Sequence, residues 1–223
     1  MAKQVVVMGL GRFGVSVATT LHEMGHEVLA LDSDEKNVMA VASQLTRAAQ
    51  ADATSEAVLK DLGIRDCDVA IVSMGTSVES SVMSTILAKK LGVRYVIARA
   101  SNELHGSILE KIGADLVVHP EREMGIRTAH SMTIRDATDY MPIGHRYGIA
   151  KLPALPCFIG KRLSTIGFGP RASYRVAVLL IQRRNEVSVS PDLNEIVRDG
   201  DVLVVSGEDD QIEKLIDEAK GRG

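Results

Sequence analysis

Gly9, Gly11 and Gly14 stand at the spacing GxGxxG, with Arg12 and Phe13 inside the motif and the apolar run Val5–Met8 directly before it. These residue types at this spacing bind phosphate. Gly9 permits a tight turn at a strand end, Gly11 lets a phosphate approach the backbone, and Gly14 lets the next helix pack close to the strand. That helix would aim its N-terminal N–H groups and the positive end of its dipole at the anion. Arg12 adds a fixed cation with a fork of donors, which a plain diphosphate cofactor does not require. Asp32 ends the next apolar run, at the distance from the glycines where a dinucleotide fold holds its ribose. A carboxylate there accepts hydrogen bonds from both ribose hydroxyls and repels a 2′-phosphate. Ser33 follows it, where an NADP binder often carries arginine.

Three more loops fall on the same expected edge. Asp52, Ala53 and Thr54 follow the third apolar run, Ser73, Met74 and Gly75 follow the fourth, and Arg99 ends the fifth. Open α/β sheets bind ligands at the carboxyl ends of their strands. Met74 fits either an adenine face or a strand-end core position. Arg99 fits either a phosphate contact or a surface salt bridge. Two cations, Arg12 and Arg99, with one acidic ribose partner point to a ligand with more exposed phosphate charge than NAD, such as ADP or ATP. Glu121, just after His119-Pro120, suits a helix N-terminus, where a carboxylate complements the dipole. It also suits sensing a phosphate through a divalent cation or across a dimer interface.

Catalytic groups are not evident. The six histidines, at 22, 26, 105, 119, 130 and 145, show no ligand spacing and read as surface or helix-packing residues. There is no nucleophile elbow, paired-carboxylate site or metal-ligand cluster. An NAD-dependent oxidoreductase would need a substrate domain with an acid–base residue, and the tail offers neither the size nor a candidate. A binding protein, not an enzyme, is expected.

Positioning these groups requires alternating strands and helices. Short apolar runs at Val5–Met8, Val28–Leu31, Ala48–Ala51, Val69–Ser73, Tyr95–Arg99 and Leu116–Val118 alternate with amphipathic segments. The segments are 15–24, 35–44, a helix capped at Thr54 or Ser55 and running through Leu62, 78–91 and 102–112. Strands that are nearly all apolar belong in a parallel sheet covered on both faces. The fold class is therefore α/β, a Rossmann-type doubly wound sheet over residues 1–120. Residues 121–140 read as a linker helix, and 141–223 as a small α+β domain. Its strands are expected at Ile149–Leu152, Val176–Gln182, Val187–Ser190 and Val202–Ser206, with a hairpin tip at Asn185, a short helix near Ser164 and a last helix from Glu208 to Lys220.

Composition bounds the function. The chain has 223 residues, 45% hydrophobic and 25% charged, and a net charge of −3. Without a basic footprint, no nucleic-acid partner is expected, nor is a basic winged-helix module visible. The longest aliphatic runs, such as Val176–Ile181, are about a third of a bilayer span. The chain enters a strand at once, so no signal peptide is expected. Cys67 and Cys157 have no CxxC partner, and both read as small buried hydrophobes in a reducing compartment.

The stretch Gly9-Leu10-Gly11-Arg12-Phe13-Gly14, followed by Met24 to Asp32 and by Ala51-Asp52-Ala53-Thr54, resembles the RCK (KTN, TrkA-N) domain. Ile112-Gly113-Ala114-Asp115, His119-Pro120-Glu121 and Met124-Gly125 extend the match. Gly160-Lys161-Arg162-Leu163 and the segment from Ser190-Pro191 to Gly200 through Gly207 resemble the companion TrkA-C domain. The resemblance covers nearly the whole chain, and is strongest to the Ktr branch of potassium-uptake regulatory subunits. It implies ATP or ADP in the glycine-rich cleft, with Arg12 at the terminal phosphate, Asp32 on the ribose and Arg99 adding phosphate contact. A Trk-type relative would hold NAD or NADH there instead. The resemblance also implies a divalent cation at Glu121 between subunits and dimers assembled into an octameric ring. The ring would sit in the cytoplasm, peripheral to the inner face of the cell membrane, on a potassium-translocating subunit (KtrB/TrkH-like). Asp52 departs from the asparagine frequent in the family. Some TrkA-C domains bind cyclic di-AMP through an Arg-Ala pair, and Arg171-Ala172 holds the comparable place.

Overall fold

The computed structural model describes residues 2–221 apart from 76, 135, 170, 171 and 173. The chain divides into two compact units, residues 1–121 and 122–223.

The first unit runs β1 (Gln4–Met8), α1 (Arg12–Glu23), β2 (Glu27–Asp32), α2 (Glu35–Val41), β3 (Arg47–Gln50), α3 (Glu56–Asp61), β4 (Val69–Val72), α4 (Val78–Lys90), β5 (Tyr95–Arg99), α5 (Glu103–Lys111) and β6 (Leu116–Val118). Its strands form one parallel sheet in the order β3-β2-β1-β4-β5-β6. This is the doubly wound order, whose direction reverses between β1 and β4 and opens a crevice there. Alternate side chains of the apolar strands feed two cores. Val6, Met8, Leu31 and Val72 pack with Leu59 and Leu109 in one, and Val5, Val7, Ala30 and Ile71 with Ala18 and Val38 in the other. Strands buried on both faces need uniformly apolar sequences, and these have them.

The second unit begins within α6 (Pro120–Thr133). It continues as β7 (Asp139–Pro142), β8 (Tyr147–Pro153), α7 (Leu163–Ile166), β9 (Ala177–Arg183), β10 (Glu186–Val189), β11 (Asp201–Glu208) and α8 (Asp209–Gly221). The five strands make an antiparallel sheet, order β10-β9-β11-β8-β7. Ala150, Leu152, Ile181, Leu203 and Val205 face Leu163, Ile212, Leu215 and Ile216 in a core of their own.

Two expectations need correction. The linker helix does not reach Tyr140: it ends at Thr133, and Asp139–Pro142 is a strand paired with β8. Pro142 disfavours helix at Met141 before it, and Tyr140 gains a fully buried site in the second unit's core. The first helix starts at Arg12, not Val15, so Arg12, Phe13 and Gly14 form its first turn. Among the described residues no helix is long and apolar enough to cross a membrane.

Candidate functional site

The turn after β1 is held by direct backbone contacts. Gly9 sits at φ +96°, in the left-handed region, and its N–H donates to the Leu31 carbonyl at 2.7 Å. The buried Ser73 hydroxyl, just past β4, donates to the Gly9 carbonyl at 2.5 Å. A Cβ on Gly14 would stand 2.0 Å from that same carbonyl and 2.5 Å from Ser73 Oγ. Helix and strand can therefore meet only at glycine. Gly11 caps α1 without a side-chain hydrogen bond, and the first turn carries no acidic residue. The free N–H groups and positive dipole end of α1 are thus left for an anion.

Beside the turn a cleft of about 400 Å³ opens at the strand ends. Asp32 closes one side. Its Oδ2 accepts the Leu10 N–H at 2.6 Å and its Oδ1 the Asp34 N–H at 2.8 Å, so the carboxylate is fixed before any ligand arrives. Each oxygen keeps a further lone pair for a hydroxyl donor. Asp52 folds back on Thr54, whose hydroxyl and N–H donate to Oδ1 at 2.6 and 2.8 Å. Those two bonds, the hydroxyl's first, hold the Asp52 carboxyl below its ordinary value. Ala53 is buried beneath, its carbonyl accepting the Ser84 hydroxyl at 2.9 Å.

At the other side Arg99 lies across Gly75, where an added Cβ would come within 2.2 Å of Nη1. Its Nη2 donates to Glu121 Oε1, and its buried Nε has no partner among the described residues. Glu121 opens α6, with its side chain 68% exposed. Its own backbone N–H first, then Arg99 and the charge of Arg12, hold its carboxyl below the usual value against partial burial. Arg12 itself is exposed on the first turn of α1.

The cleft gathers Gly9, Gly11, Asp32, Ser33, Asp52, Ala53, Thr54, Ser73, Met74, Gly75 and Arg99 in one place. Gly14 lies beneath it as packing, and Arg12, Phe13 and Glu121 lie outside its lining. Sequence reasoning missed Asn37, Ser77 and Ser80, which also line it. The serines had a signal: Ser77 caps α4 by accepting the Ser80 N–H at 3.1 Å, a spacing readable as an N-cap. Among the described residues no three His, Cys, Asp or Glu side chains are gathered to hold a metal ion. One chain supplies the single carboxylate of Glu121, already paired with Arg99, so a cation there needs that pair to open and a second copy to add donors. Arg171 lies outside the described residues. Ala172 is half-buried, its N–H donating to the Gly169 carbonyl at 3.2 Å, and brings no polar side chain toward a ligand.

Sheet order, phosphate turn and a separate antiparallel unit together define a two-part protein with a Rossmann-type first half. The TrkA-N domain family matches residues 5–120 and the TrkA-C domain family residues 150–220; the chain belongs to this TrkA-N/TrkA-C family. Its relatives include the Ktr system potassium uptake protein A of Bacillus subtilis, 39% identical over 216 residues, 97% of this chain and 96% of that one. The crystal structure of the GsuK RCK domain shares the fold, with a TM-score of 0.63 at 19% identity over 97% of this chain and 48% of the other. The GsuK channel bound to NAD gives 0.62 at 18%, over 96% and 39%. The chain spans less than half the length of either GsuK chain.

Proposed function

We propose that this protein is a nucleotide-sensing regulatory subunit of a potassium uptake system, binding ATP and ADP in the cleft of its first unit. The potassium assignment rests on the relative of nearly equal length named above. The ligand assignment rests on Arg99, whose guanidinium lies over Gly75 at the cleft with Nη2 on Glu121 and Nε without a partner among the described residues. The N-terminus of α1 would take the phosphates, Asp32 the ribose, and Arg12 and Arg99 the charge of the outer phosphates.

ATP and ADP share a cleft but differ by one phosphate. A ligand shifts a conformational equilibrium only by the difference in its contacts with the two states. The added phosphate supplies that difference by drawing Arg99 off Glu121 and engaging Arg12. α6, which starts at the released carboxylate, would carry the change onward. The first 120 residues are the nucleotide module in this reading, and the tail is a dimerisation module. Copies would assemble as dimers in an octameric ring on the cytoplasmic face of a membrane potassium-translocating subunit. A divalent cation at Glu121, shared between two copies, belongs to the same reading.

Thermal-shift ranking of ATP, ADP, NAD and NADH on the purified chain tests the ligand. The adenosine phosphates should give the larger shifts, and a stronger shift with NADH would replace them with a dinucleotide. Arg12→Ala should narrow the ATP/ADP difference; unchanged discrimination would remove Arg12 from the sensing step.

A further inference from the structure

The second unit buries one carboxylate where three elements meet. Asp209, the first residue of α8, is 6% exposed. Its Oδ1 accepts the Tyr140 hydroxyl of β7 at 2.6 Å, and its Oδ2 lies 3.1 Å from Nδ1 of His130 on α6. The His130 ring stacks on Tyr140, with centroids 5.1 Å apart and planes at 11°. The Asp209 N–H donates to the Arg146 carbonyl at 2.9 Å.

The neighbouring charges are matched elsewhere. Arg127, one turn earlier on α6, pairs with Asp139 of β7. Asp210 pairs with Arg146, which also reaches Glu208. The side-chain partners of Asp209 among the described residues are a phenol and an imidazole, and only the imidazole can gain a positive charge. Three surroundings favour that charge. The carboxylate touches it, the face of Tyr140 lies against it, and it sits in the last turn of α6, where the helix dipole stabilises a cation. Burial and Arg127 oppose it, and Asp139 offsets Arg127.

We propose that His130, Asp209 and Tyr140 form a proton-operated latch that fixes the end of α6 to the tail unit. With His130 neutral the contact is a hydrogen bond to a carboxylate. With His130 protonated the same contact joins two ions in a partly buried site and gains their Coulomb attraction. The added hold is present when the imidazole is charged and is lost as pH rises through its titration. The chain would read a fall in pH as a tighter α6, whatever occupies the cleft.

Hydrogen exchange of the full chain, corrected for the intrinsic pH dependence of the chemistry, measures this directly. The peptide spanning α6 should gain several-fold to about tenfold protection between roughly pH 7.5 and 6. His130→Gln keeps a side-chain donor and removes the proton, and should make protection independent of pH. Asp209→Asn should do the same. A flat profile in the parent overturns the latch, and so does an unchanged slope in His130→Gln. Should Asp209→Asn fail to fold, those two results still decide.

Discussion

Gly14 and Glu121 make opposite kinds of contribution to the first unit. Gly14 acts by absence, since any Cβ would stand 2.0 Å from the Gly9 carbonyl, a backbone atom that cannot swing aside. Gly14→Ala should cost about 2 kcal/mol or more, as overpacking against fixed backbone does. Urea unfolding of the parent and variant measures it, and a cost below roughly 0.5 kcal/mol would mean that the turn yields. Glu121 acts by charge. Its carboxyl is held below the ordinary glutamate value, so its stabilisation is present above the unfolded pKa and is lost as pH falls through the lower folded one. The stability difference between the parent and Glu121→Gln should therefore be steady near neutrality, shrink as pH falls through the ordinary glutamate range, and vanish only below the lowered folded pKa. An acid titration of the unfolding midpoint reads both limbs; a difference that grows on acidification contradicts the Arg99 pairing. The glycines and Asp32 were legible because backbone approach and ribose binding tolerate few residue types. The Arg99–Glu121 contact was not, because its partners are far apart in sequence and only the packing of β5 beside the start of α6 joins them.

Elements in the first unit were readable for a physical reason. Strands buried on both faces must be almost wholly apolar, and helices between them stop at residues that accept the left-handed region, as Gly92 and Gly113 do. The second unit hid more. β7 offers four residues, of which only Tyr140 is buried, so its period of two has a single mark. Gly148 on β8 gave no hint of its role, yet a Cβ there would stand 2.1 Å from the Tyr140 hydroxyl oxygen. The apolar positions of 121–140 extended the helix on paper, whereas the buried Tyr140–Asp209 bond rewards leaving it. Tyr140→Phe keeps the ring and removes the donor, leaving one oxygen of a nearly buried carboxylate without its protein partner. The loss should be about 1–3 kcal/mol, the cost of an unmet buried acceptor. Equilibrium urea unfolding provides the number; a neutral result would mean that water replaces the hydroxyl.

On the scale of the whole chain, the cores decide how binding shows itself. Among the described residues, the two clusters of the first unit draw on residues before α6, and the cluster of the second on residues from Ile134 onward. Each unit therefore has the burial needed to unfold cooperatively by itself. A ligand that binds only the folded first unit stabilises it by about 2.7 kcal/mol at a hundred times its dissociation constant. Differential scanning calorimetry should then resolve two transitions, with ATP moving one and leaving the other near its unliganded temperature. A variant that weakens the cleft, such as Asp32→Ala, should abolish the ATP shift of the first transition without displacing the second. If ATP moves both transitions together, the units are energetically coupled, and the size of the second shift measures how much of the nucleotide's binding free energy reaches the tail. If it moves neither, the cleft does not bind ATP at the concentrations used, and the dinucleotides become the ligands to place there.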